Sequence, residues 1–174
     1  MMRGRKDVVL AGIMLMTVCM LPGVMWGQQA DVRGWDKLTW GMTMDEVRKT
    51  YPGTYPASLP DKFVKLQAPG PVIAGYPFIV NFGFDGNGRL CKIGLRLVNE
   101  HDAKESTYRT LENLLTAKYG IPSKSDRNTG YTGSITLTTT WVYPSTVIEL
   151  CMMNVMDKIK ILTILYSQAA THGL

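Results

Sequence analysis

The chain has 174 residues, 45% of them hydrophobic, and carries 19 basic against 14 acidic side chains for a net charge of +5. That is enough apolar chain to bury a core without covalent staples. The mild positive balance lacks the long basic stripe and interleaved exposed aromatics of a nucleic-acid binder, so no nucleic-acid partner is expected.

The first thirty residues read as an export signal. Arg3, Arg5 and Lys6 form a basic start, and Val8 to Leu21 is an uncharged apolar run. Pro22 and Gly23 break that run, and small residues suited to a signal peptidase follow at Gly27 and Ala30. Cleavage is expected within 27–31. An uncleaved anchor is the alternative, since Val8 to Ala30 is uncharged and long enough to cross a bilayer about 30 Å thick. Val18 precedes Cys19, where a lipoprotein signal needs a small residue. Residues 1–30 hold three of the basic and one of the acidic side chains, so residues 31–174 carry 16 against 13, a net +3. Those 144 residues suit one domain placed in the periplasm or cell envelope. Only the N-terminal segment, if retained, is expected to touch a membrane.

The first element is announced by Thr39-Trp40-Gly41-Met42-Thr43-Met44-Asp45-Glu46-Val47. Thr43 and Glu46 have the spacing of a capping box, with Met42 and Val47 as its hydrophobic staple. A short helix is predicted from Met44 to about Tyr51, ended by Pro52. Tyr51 to Pro77 is rich in proline and glycine and reads as mostly loop, with strand character only at Phe63 to Gln67. Phe78 to Phe84 and Leu90 to Val98 alternate apolar and polar residues around the turn Asp85-Gly86-Asn87-Gly88, a predicted hairpin.

A second helix is predicted from about Ala103 to Tyr119. Asp102 and Glu105 form its acidic cap pair, Tyr108, Leu111, Leu115 and Tyr119 its apolar face, and Gly120 and Pro122 its end. Ser123 to Gly133 reads as loop. Strands follow at Ile135 to Tyr143, Val147 to Met153 and Lys158 to Tyr166. The order helix, strands, helix, strands predicts an α+β fold, an antiparallel sheet of five to six strands with two helices on one side. Its two halves are candidate half-repeats.

Candidates for chemistry are few. His101 sits in a polar connector and His172 near the end, neither beside a second ligand of metal type. Asp85 to Arg89 begins like a calcium loop, but Arg89 stands where an oxygen ligand belongs. No phosphate-cradling, dinucleotide or nucleophile-elbow motif is present, so no metal, cofactor or catalytic residue is assigned. Glu149 is the one acid deep in a predicted strand; by alternation it belongs to the solvated face, and it is the residue an enzyme of unfamiliar type would use. Glu112 is placed away from the apolar stripe of its helix. Lys92 and Arg96 project together from one strand. Export leaves Cys91 and Cys151, which form either one disulfide or two buried thiols.

The segments "WGMTMDEVRKTYP", "FGFDGNGRLCKIGLRL" and "LLTAKYGIP" resemble small exported bacterial proteins with a Trp-Gly-Met-Ser/Thr helix start and a Tyr-Gly-x-Pro helix end. In layout, from Trp40 to about Tyr166, the chain is similar to the outer-membrane assembly lipoproteins of the BamE/SmpA type and to the β-lactamase-inhibitor-protein-like fold. It departs from the lipoproteins in lacking a lipidation cysteine. The resemblance implies helices layered on an antiparallel sheet and work by protein contact without a cofactor. The expected function is therefore an exported, non-enzymatic protein-binding or envelope-assembly module whose partner is another envelope protein. A small-ligand carrier is the alternative.

Overall fold

The computed structural model describes residues 30–58, 62–130 and 133–170, so the segment read as an export signal lies outside the described residues except for Ala30. A two-stranded ribbon of β1 (Gly34–Trp35) and β2 (Leu38–Thr39) leads into helix α1 (Met44–Thr50). Four strands follow: β3 (Tyr55–Pro56), β4 (Val64–Ile73), β5 (Tyr76–Phe84) and β6 (Leu90–Leu97). A 3-10 turn (Glu100–Asp102) precedes helix α2 (Glu105–Tyr119). Four more strands complete the chain: β7 (Lys124–Thr129), β8 (Ile135–Val142), β9 (Thr146–Val155) and β10 (Ile159–Gln168).

The eight strands β3 to β10 form one antiparallel sheet in the order β3-β4-β5-β6-β10-β9-β8-β7. Each half of the chain is a helix followed by a four-strand meander. The last strands of the two meanders, β6 and β10, pair at the sheet centre.

This overturns the expected α+β class with five to six strands: 51% of the described residues lie in strands and 18% in helices, in an eight-stranded sheet plus a two-stranded one. The missing strands lay in segments read as loop. β4 runs on through Pro69, Gly70 and Pro71 to Ile73. Beyond the two-residue pairing with β3 it is the sheet edge, where a proline's missing N–H interrupts no ladder. Register shifts between Pro69 and Val72 absorb the irregularity. Ala74 and Gly75, with φ of 52° and 85°, then make a two-residue turn into β5, the positive-φ geometry that matches hairpin twist. β7 is polar and exposed at all six positions, so it carries no alternation; it is held as the far edge by pairing with β8.

One face of the sheet is the core. A row of side chains crosses six strands through Leu66, Phe82, Ile93, Tyr166, Ile148 and Trp141, and the next row runs through Ala68, Val80, Leu95, Ile164, Leu150 and Thr139. All are buried, and each large apolar side chain removed from water contributes about 1.5–3 kcal/mol. Both helices cover this face, α1 through Val47 and α2 through Tyr108, Leu111, Leu115 and Tyr119. α2 is docked at its C-terminal end, where Trp141 Nε1 donates to Gly120 O at 2.9 Å and the Tyr143 hydroxyl to Tyr119 O at 2.6 Å. These bonds satisfy carbonyls that a helix end leaves without partners.

The capping box is formed: Glu46 N donates to Thr43 Oγ1 at 3.3 Å, and Thr43 N to Glu46 Oε2 at 2.7 Å. α2 begins later than predicted because Asp102 is used elsewhere. Asn99 accepts from His101 N and donates to Asp102, closing the 3-10 turn. This local side-chain alternative competes with helix initiation.

Candidate functional site

α1 and α2 leave a cleft between them over the core face, with a volume of about 630 Å³. Its floor is Ile164 and Tyr166 of β10. One wall is Trp35 from the β1–β2 ribbon and Tyr51, which caps the C-terminal end of α1. The opposite wall is α2, which presents Leu111, Leu114, Leu115 and Lys118, spaced along one flank of a helix. Gly70, Pro71 and Ile73 of β4 close one end.

The aromatic lining belongs to a chain of rings. Phe82 meets Tyr51 at 5.5 Å, Tyr51 meets Trp35 at 6.0 Å, and Trp35 meets Tyr166 at 6.4 Å. Tyr119 then stands 6.2 Å from both Tyr166 and Tyr143. These tilted and edge-on contacts are favourable aromatic geometries. They fix the cleft walls from both halves of the chain.

The polar groups of the cleft are neutral or near its rim. Burial holds the Tyr166 hydroxyl well above the ordinary tyrosine range, reinforced by Tyr119, whose hydroxyl is 3.2 Å away. The Tyr51 hydroxyl is also raised, by burial and then by the charge of Asp36. Both hydroxyls therefore keep their protons at neutral pH and serve as donors and acceptors. Asp36 and Lys118 place one charge of each sign in the lining.

The residues singled out from sequence do not converge on this cleft. Glu149 is on the opposite, open face of the sheet, in register with Leu165 and Thr140. His101 is exposed in the 3-10 turn, and His172 lies outside the described residues. Asp85 Oδ1 accepts from the backbone N–H of Asn87 at 2.9 Å and of Arg89 at 2.8 Å, which is turn chemistry. Among the described residues no group of three or more His, Cys, Asp or Glu is placed to hold a metal. Cys91 and Cys151 are free thiols. β10 lies between their strands, and Lys92, next to Cys91, pairs with Ser167 while Cys151 pairs with Thr163, so they stand farther apart than two strand spacings, roughly 9.5 Å, beyond the reach of a disulfide. Burial raises both thiols above their usual range.

Glu112 corrects another expectation. Its side chain is 15% exposed and turns toward the sheet. It accepts from Thr139 Oγ1 at 2.6 Å and from Arg109 Nη1 at 2.8 Å. Burial alone pushes its carboxyl up, but those hydrogen bonds and the Arg109 charge outweigh it, so the group sits below the usual glutamate range. Periodicity placed Glu112 away from the apolar stripe because it could not see the one hydroxyl, Thr139, waiting in the core row.

The cleft itself was not read from sequence because five separate segments build it. One signal was available: Leu114 stands off the stripe defined by Tyr108, Leu111, Leu115 and Tyr119, and an apolar residue there widens the apolar arc toward the cleft. Comparison of the chain with family models, curated proteins and solved structures finds no match.

Proposed function

We propose that the protein is an exported, non-enzymatic binding module whose cleft takes a small ligand with an apolar body and a polar end. The observation that carries this reading is the cleft between α1 and α2. Its volume of about 630 Å³ falls within the range of small-molecule sites, roughly 300–1,000 Å³. Its floor and α2 wall are aliphatic and aromatic, its tyrosine hydroxyls are protonated donors, and its charges are confined to Asp36 and Lys118. Such a lining suits sequestration of an amphiphile. The basic start and apolar run of residues 3–21 support export.

The test is titration with a neutral amphiphile, octyl glucoside below its micellar concentration, followed by the fluorescence of Trp35. Saturable binding of one molecule per chain is expected, and Leu114→Glu should weaken it while leaving the fold intact, because Leu114 is 46% exposed. Absence of saturable binding overturns the carrier reading.

A second reading, a docking site for another envelope protein, is favoured by apolar surface at the same place. Leu114, on the α2 side of the lining, is 46% exposed, and Ile73 on the opposite side is only partly buried. This is the mode of action that the BamE/SmpA resemblance implies. Crosslinking in an envelope fraction through a photoreactive residue at position 118, which is exposed and lines the cleft, should then yield one defined adduct that Leu114→Glu abolishes.

A further inference from the structure

The open face of the sheet, opposite the cleft, carries a second hollow of about 280 Å³ centred on β6. Lys92, Gly94 and Arg96 follow one another along that face, so the two cations stand either side of a missing side chain. Register places Asn81 and Leu165 beside Gly94, and Ile79 and Thr163 beside Arg96. Val64 and Leu165 supply apolar surface.

The charges in this hollow are not balanced. Of the other described arginines, Arg33, Arg48, Arg109 and Arg127 each meet a carboxylate within 4 Å, and Arg89 donates to Gly41 O at 3.3 Å. Lys92 and Arg96 meet no carboxylate among the described residues, and no Asp or Glu lines the hollow. The Arg96 Nε is also buried without a hydrogen-bond partner. Buried donors are nearly always satisfied in folded chains, so an orphan calls for an acceptor that arrives from outside. The polar neighbours are already committed in part: Gln67 Nε2 donates to Asn81 Oδ1 at 2.7 Å, and Asn81 Nδ2 donates to Gly94 O at 3.3 Å. That pair fixes the rim of the hollow without supplying Arg96 with an acceptor.

We propose that this hollow binds an oxyanion, a carboxylate or phosphate group on a small apolar body, with Arg96 as its anchor and Lys92 as the second charge. A guanidinium presents parallel N–H groups, including Nε–H, that match two oxygens of either anion. The Thr163 hydroxyl is positioned to add a third contact. Val64 and Leu165 would bear on the ligand's apolar part. The site is independent of the cleft, since the two lie on opposite faces of the sheet.

Gly94 makes the proposal separable from charge alone. A Cβ there would meet Leu165 Cδ1 at 3.7 Å and Asn81 Cβ at 4.0 Å, both ordinary contacts. Gly94→Val therefore fills the hollow while sparing the fold and both cations. The experiment titrates isotope-labelled full chain with sodium phosphate, and separately with sodium butyrate, at constant ionic strength, following the amide resonances of Thr163 and Leu165. A saturable shift is expected with at least one probe, and the responding probe assigns the anion. Arg96→Gln and Gly94→Val should each weaken it by about tenfold or more, whereas Lys49→Gln on α1 should not. Shifts that stay linear with concentration, or that persist unchanged in Gly94→Val, overturn the proposal. Unperturbed resonances elsewhere in the sheet report that each variant is folded.

Discussion

The wholly buried Thr139 hydroxyl of β8 donates to the Glu112 carboxylate of α2 at 2.6 Å. A carboxylate only accepts, so the Tyr108 hydroxyl, also 2.6 Å from Thr139 Oγ1, must donate to it. The relay Tyr108, Thr139, Glu112 pins α2 to the sheet with a fixed direction of donation.

Thr139→Val keeps the shape of the side chain and removes the link. Tyr108, held up to about 12 by burial, and Glu112 both lose a partner. The expected loss is about 1–3 kcal/mol of stability, the cost of leaving buried polar groups unsatisfied. Urea denaturation measures it, and a loss below about 0.5 kcal/mol would contradict the relay.

The depressed Glu112 carboxyl ties stability to pH. Its folded value lies below the ordinary 4.5, so its contribution is present above that pH and is lost as pH falls through the folded value. Asp31, Glu46 and Asp157 are lowered too and act with the same sign. The isolating measurement is the difference between wild type and Glu112→Gln: the variant should show a shallower loss of stability below about pH 4.5. Parallel pH profiles would assign the acid sensitivity to the other carboxylates.

Thr43→Ala removes the α1 cap and should cost about 0.5–2 kcal/mol. Amphiphile affinity should be unchanged once the protein is folded, because Thr43 does not line the cleft. Weaker binding at equal stability would mean that the helix start takes part in recognition.

Gly70 closes one end of the cleft where β4 passes β5. A Cβ there would sit 2.7 Å from Phe78 O, inside any tolerable contact with backbone. Gly70→Ala should therefore lower stability by about 1–3 kcal/mol through overpacking. It should also weaken amphiphile binding by displacing Pro71 and Ile73. Thermal melting with a parallel titration checks both, and unchanged binding would show that this end of the cleft does not contact ligand.

What the sequence revealed depended on whether a signal was local. The Thr43–Glu46 box, the α2 stripe and the alternation of β5, β6, β8, β9 and β10 each express a short-range period, and the structure contains all of them. β7 has no period because neither of its faces is buried. The second half of β4 hides behind prolines that only an edge position permits. Glu112 was misjudged because its partner is 27 residues away, and the cleft needs Trp35, Tyr51, Leu114 and Tyr166 from four elements. Lys92 and Arg96 were visible as a pair, but their isolation from carboxylates was not.

The pairing of β6 with β10 has a consequence for how the chain acquires its structure. During synthesis the first meander can assemble early, yet β6 waits with an unpaired edge until β10, the last strand of the sheet, emerges. Such an edge is a template for wrong pairing. The central seam closes last and over a long separation, which slows folding and lengthens exposure. A chain ending before Ile159 would thus leave both β6 and β9 with open edges at what should be the sheet centre.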